Sequence, residues 1–216
     1  MNYFGKYRGV ISDVNDPLRL CRVRARVPDV LGTRETGWAL PCLPFAGQGM
    51  GFYATPKVGA NVWIEFEHGD PEYPIWSGCF YTATTEVPAN ALMPPTPKAL
   101  MRTATGNSLL LDDTPGLGGI QLKTQTGECL KLSTQGLELF DALGQKVFSV
   151  GPLGLVFNGV AGQKLSVNPS ELLLALAAGQ KVSLSPMGVK AETGQGASIA
   201  MQGPKVSING PALEVL

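Results

Sequence analysis

Histidine is nearly absent from this chain: among 216 residues only His68 carries an imidazole. A Ser-His-Asp or Cys-His catalytic centre would have to be built on that one side chain. It stands in Glu67-His68-Gly69-Asp70, which reads as a surface turn closing a strand. Charge is sparse and balanced, with 17 Lys and Arg against 17 Asp and Glu. Residues 1–80 alone hold eight basic and eight acidic side chains, so the electrostatic footprint of a nucleic-acid binder is missing. Long apolar runs are missing too. No window of 18 apolar residues exists and residues 1–8 form no signal-peptide core, which predicts a soluble chain made without a secretion signal. Cys21, Cys42, Cys79 and Cys129 form no CxxC pair, so zinc or a disulfide framework is not indicated and buried free thiols are expected. Aromatics are few, and beyond residue 98 only Phe140, Phe148 and Phe157 occur, too few for the aromatic-rich head of a receptor-binding fibre.

Glycine and proline, by contrast, are plentiful at 27 and 17 residues, and they are scattered as punctuation rather than gathered into one tract. Much of the glycine belongs to a repeated phrase: Gly144-Gln145-Lys146-Val147, Gly162-Gln163-Lys164-Leu165 and Gly179-Gln180-Lys181-Val182, with a weaker copy at Gly194-Gln195. The four Gly-Gln pairs lie 18, 17 and 15 residues apart, and looser copies precede them at Gly127 and Gly106. A period of this size marks an array in which each unit needs neighbours to bury its apolar face. Counting from each repeat glycine, positions +3 and +5 are Leu109 and Leu111, Leu130 and Leu132, Val147 and Ser149, Leu165 and Val167, Val182 and Leu184, Ala197 and Ile199. A second strand follows each turn, ending with Val206-Ser207-Ile208. Each unit is therefore strand, turn, strand with one apolar face. Residues 171–178 have the best helix propensity in the chain, but the repeat register assigns them to a strand.

Ahead of the array, residues 7–14, 19–27, 37–43, 51–54, 61–67 and 75–81 read as closely spaced strands. In Arg22-Val23-Arg24-Ala25-Arg26-Val27 the arginines fall on one face and the small apolar residues on the other. Five or six strands in some 80 residues without a strong helix fit a small OB-type barrel. OB barrels bind single-stranded nucleic acid with basic grooves and stacking aromatics, for which Arg22, Arg24, Arg26, Trp38, Tyr53 and Trp63 are the candidates. With no net charge behind them, the arginines are better assigned to pairing with Glu65 and Glu67 or to neighbouring subunits. Glu65 and Glu67 at i, i+2 read as a solvated strand face or subunit contact rather than a glycosidase pair. The glycine-rich segment 47–51 lacks the Lys-Ser/Thr and following helix of a phosphate loop.

Several motifs in order carry a family resemblance: Gly9-Val10-Ile11, Asp16-Pro17, Arg22 to Pro28, Trp38-Ala39-Leu40-Pro41, Pro56 to Trp63 and Gly69-Asp70-Pro71-Glu72-Tyr73-Pro74-Ile75-Trp76-Ser77-Gly78. Together they resemble the OB domain of the baseplate protein V and Vgr-type spike family, over residues 7–81. The resemblance implies an all-β chain, with an N-terminal OB-type barrel (1–81), a Pro-rich linker (82–97) and an intertwined trimeric β-helix or β-prism needle (98–216). It implies a homotrimer whose core is Leu109, Leu111, Leu130, Leu132, Val147, Leu165, Val167, Val182, Leu184, Ile199, Val206 and Ile208. About twelve strands at roughly 4.8 Å would make the needle about 55–60 Å long. The function implied is the structural central spike of a contractile tail baseplate or injection apparatus, with a tail hub above, a PAAR-type cap on the open strands near residues 211–216, and transient contact with the target membrane. No cofactor, metal site, nucleic acid or catalysis is expected. The linker is too short for the lysozyme domain that some members carry, and the array contains no histidine for a His-x-His iron tip. Such a particle would be a virion tail baseplate or injection machine assembled in the bacterial cytoplasm.

Overall fold

The computed structural model describes residues 2–92 and 98–215, nearly all of them in β-structure, turns or loops. It divides into two compact units, residues 1–89 and 90–216, each described separately below.

The first unit is built on β1 (Tyr7–Asp13), β2 (Arg24–Arg26), β3 (Leu40–Pro41), β4 (Ala46–Gly47), β5 (Met50–Gly51), β6 (Asn61–Phe66) and β7 (Pro74–Cys79). Five of these form one sheet in the order β2-β1-β6-β7-β3. Bridges from Val23 to Ala39 and from Arg26 to Glu35 tie the first strand of that order back towards the last and close the barrel. The alternation read from 22–27 holds, with Val23, Ala25 and Val27 fully buried. They pack with Ile11, Ala39, Val62, Ile64, Phe66 and Trp76, whose indole N–H donates to the Cys21 carbonyl at 3.0 Å. The second strand is shorter than expected because Arg19 and Cys21 adopt positive φ, which breaks extended backbone before residue 23. A short helix, Pro28–Leu31, follows it, opened by the proline after β2. The β4–β5 pair forms a separate exposed hairpin. Short 3₁₀ turns occupy Thr84–Glu86 and Ala89–Ala91 within the expected linker; residues 93–97 lie outside the described residues.

The second unit is a single antiparallel sheet of fourteen strands, from Lys98–Arg102 to Leu213–Val215, hydrogen-bonded in chain order. This is two strands more than the repeat count suggested, one at each end. Thirteen inter-strand steps of roughly 4.8 Å make it about 62 Å long. Glu171–Ala175 is a strand, so the register prevails over helix propensity.

Two kinds of connection alternate. On one edge, five-residue loops share one hydrogen-bond scheme: Asp141 N–H donates to the Gln145 carbonyl at 2.9 Å and Gly144 N–H to the Asp141 carbonyl at 3.0 Å. Gly144 makes the reversal at φ +77°, and the Asp141 carboxylate accepts the N–H groups of Leu143 and Gln145. The equivalent loop of the weakest repeat spans 193–197 and turns at Gly196, not Gly194, so its strand is Ser198–Gln202 and Ala197 lies in the loop. On the other edge the connections are two-residue turns, except for the longer loop over 113–118.

Candidate functional site

In a five-residue strand the second and fourth side chains share one face and the first, third and fifth share the other. Strand pairing stacks the second and fourth positions into two continuous apolar columns. Leu122 lies between Leu109 and Leu130, and Ile120 between Leu111 and Leu132. Further along, Leu155 lies between Val150 and Val167, and Phe157 between Phe148 and Leu165. Leu174 lies between Leu165 and Val182, and Leu172 between Val167 and Leu184. Ile199 and Met201 meet Ile208 and Val206.

Eleven of the twelve expected core residues fall in these columns: Leu109, Leu111, Leu130, Leu132, Leu165, Val167, Val182, Leu184, Ile199, Val206 and Ile208. Val147 does not. Leu139 pairs with Phe148 and Phe140 with Lys146, leaving Val147 as the extra residue of a β-bulge. Phe148 and Val150 take the places assigned to Val147 and Ser149. The 18-residue spacing before Gly162, against 17 in the next repeat, is the trace of that extra residue. Met201 was likewise missed because the count began at Gly194; from Gly196 it falls at +5.

The columns are uncovered. Sixteen of their side chains are 37–51 % exposed, Leu174 and Leu184 among them, and among the described residues no other strand of the array crosses them. The columns also border a hollow of about 430 Å³ lined by Leu174, Val182, Ala191, Ile199 and Ile208. On the opposite face the middle positions are far better shielded, including Leu110, Glu138 and Ser166, because neighbours flank them along and across the strands. That face carries the charge. Lys146 pairs with buried Glu138, Lys98 with Asp112 at 3.4 Å, and Glu192 receives Lys181 at 2.8 Å and Lys190 at 2.7 Å. The Lys181 and Lys190 contacts hold the Glu192 carboxyl below its ordinary 4.5. The Thr114 hydroxyl and N–H, more than Lys98, hold Asp112 low. The sheet thus has one exposed apolar face and one face that carries ion pairs.

The barrel arginines are not paired with Glu65 and Glu67 as expected. Arg22 reaches Asp16 through Nε at 3.0 Å and Nη2 at 2.6 Å, and the same carboxylate accepts the N–H groups of Leu18, Leu20 and Arg22. The Arg22 hydrogen bond, above all, drives the Asp16 carboxyl far below the usual carboxylate range. Arg26 contacts Glu35 at 3.3 Å, and Arg24 lies over the Trp38 ring at 4.9 Å. Strand partners across β2 decide these contacts, and they bring 35–39, not β6, beside the arginines. Glu65 pairs instead with Lys6 and with Ser77 at 2.9 Å, and Lys6 chiefly holds its carboxyl low. Glu67 has left the strand for the 3₁₀ turn Glu67–Gly69, so it does not share the face of Glu65. His68 is exposed in that turn at φ +52°.

The stacking candidates are occupied by the protein's own side chains: Trp38 by the Arg22 and Arg24 cations, Trp63 by the Arg8 cation and the Phe80 ring, while Tyr53 stands exposed. Of the four thiols only Cys21 is buried; Cys42 and Cys79 are exposed because they sit at strand ends outside the barrel core. No group of three or more His, Cys, Asp or Glu side chains able to hold a metal ion occurs among the described residues. No helix among them is long and apolar enough to cross a membrane.

Comparison with known proteins gives the barrel and the wall their kinship. The model of the type VI secretion system/phage-baseplate injector OB domain matches residues 7–81. That of the phage baseplate V C-terminal trimerisation domain matches residues 98–153 and 154–214. The chain belongs to the phage baseplate V and type VI injector family. Relatives include the type VI secretion system spike protein VgrG3 of Vibrio cholerae serotype O1, 36 % identical over 97 residues, covering 43 % of this chain and 9 % of that protein. The spike protein VgrG4b of Pseudomonas aeruginosa is 41 % identical over 55 residues, 26 % of this chain and 7 % of its own. The actin cross-linking toxin VgrG1 of V. cholerae is 36 % identical over 93 residues, 41 % of this chain and 8 % of the toxin. The matched stretch therefore spans less than a tenth of each relative. Within the family the apolar wall coincides with the trimerisation domain.

Proposed function

We propose that three copies of this chain form the structural central spike of a contractile injection apparatus, their walls closing into a β-prism needle. The observation that carries the reading is the pair of apolar columns that crosses the sheet and lies open in the single chain. Facing an axis, three such walls bury one another's columns, and each side chain going from half-exposed to buried contributes roughly 1 kcal/mol. Left open, the same face is an aggregation hazard. Kinship with the injector family supplies the context: the barrels dock on a tail hub, a PAAR-type cap covers the strands at the far end, and the closed prism transmits the force of contraction into the target envelope. Its place is a virion tail baseplate or injection particle, assembled in the bacterial cytoplasm, and its part is mechanical rather than catalytic.

The test replaces Leu174 and Leu184 together by glutamate in the full chain. The expected result is loss of the trimer by light scattering and loss of injection in a complementation assay, with the barrel still folded. A double variant that still assembles and injects would overturn the reading.

A further inference from the structure

The apolar columns hold chains together but say little about their axial alignment. The pattern repeats every two strands, so sliding one wall by about 9.6 Å sets leucine against leucine again. Something aperiodic must fix the height, and it lies on the two edges of the sheet.

The loop edge carries a column of end-of-strand side chains on the charged face. Pairing places Lys123 in the third strand (beside Ser108 and Cys129), Lys164 in the eighth and Lys181 in the tenth, both beside Ala175, and Glu192 in the eleventh. The turn edge carries Asp113, in the long loop between the second and third strands, and Glu171, in the ninth strand opposite Asn168. Among the described residues Lys123, Lys164, Asp113 and Glu171 make no ion pair within the chain, and Glu171 acts on Lys181 only at a distance, from the opposite end of the adjoining strand.

Three walls related by cyclic symmetry must set the loop edge of one against the turn edge of the next, at the same height. Glu171 then meets Lys164 and Lys181 one strand to either side, so a one-strand offset from strand tilt still leaves it a lysine. Asp113 meets Lys123. We infer that these seam pairs, Glu171 with Lys164 and Asp113 with Lys123 of the adjacent copy, set the register of the three chains; the inference rests on the trimer proposed above. A chain displaced by one repeat has its two seams displaced in opposite senses. One of them sets Glu171 against Glu192, a like-charge contact, and takes Asp113 away from Lys123, while the other leaves Glu171 between Lys146 and Lys164 and Asp113 beside Arg102. Misregistration in either direction is penalised, although the apolar columns tolerate it.

Charge exchange in the full chain tests this. Lys164→Glu and Glu171→Lys are each expected to cut the yield of refolded trimer about tenfold at low salt, and the double exchange Lys164→Glu/Glu171→Lys to restore it. Raising salt should lower the wild-type yield, because exposed seam pairs are screened. Single variants that refold to trimer at the wild-type yield, or a double variant that is not rescued, would overturn the register proposal and leave the trimer standing. A wild-type chain that is itself monomeric would overturn both.

Discussion

At Gly188 the backbone takes φ +137°, and a Cβ there would lie 1.9 Å from the carbonyl oxygen of Met201 on the adjoining strand. The residue after this turn must therefore be glycine twice over, for its dihedral and for the closeness of the next strand, as at Gly136 and Gly154 after the equivalent turns. Gly188→Ala is expected to cost about 1–3 kcal/mol per chain. Calorimetry should show a lowered array transition and an unchanged barrel transition; an unchanged array transition would contradict the turn geometry. Asp16 is the barrel's counterpart. One carboxylate there organises three backbone N–H groups and a guanidinium, and so shapes the loop that feeds Val23, Ala25 and Val27 into the core.

Among the elements, the bulged strand Lys146–Gly151 is the informative one. Val147 is the additional residue, so deleting it restores the 17-residue spacing and keeps Phe148 and Val150 in their columns. Deleting Ser183 from the regular strand Lys181–Ser185 moves Leu184 to the charged face. The Val147 deletion is expected to give soluble, folded protein and the Ser183 deletion insoluble protein, measured by soluble yield and circular dichroism. The contrast also explains what was legible in the sequence. Period-2 alternation with a regular glycine sufficed for the columns and for the strand at Glu171–Ala175, because both are local patterns. The bulge at Val147 and the pivot at Gly196 were not read, because each is a one- or two-residue departure that a fixed count steps over. The partners of Arg22, Arg26 and Glu65 were not legible either: they depend on which strands meet when the barrel closes.

Along the whole chain a self-sufficient barrel is followed by an incomplete wall. The first unit buries its own core around Ile11, Val23, Val62 and Ile64 and needs no partner to do so. The second has fourteen strands, good hydrogen bonding and almost no core, since Leu110 is its one buried apolar side chain among the described residues. Such an imbalance makes the array's stability inseparable from the concentration of other copies. Sedimentation equilibrium of the full chain tests this most directly. Three chains of 22.8 kDa predict a single species of about 68 kDa; a well-folded monomer of 22.8 kDa with the array intact would contradict it.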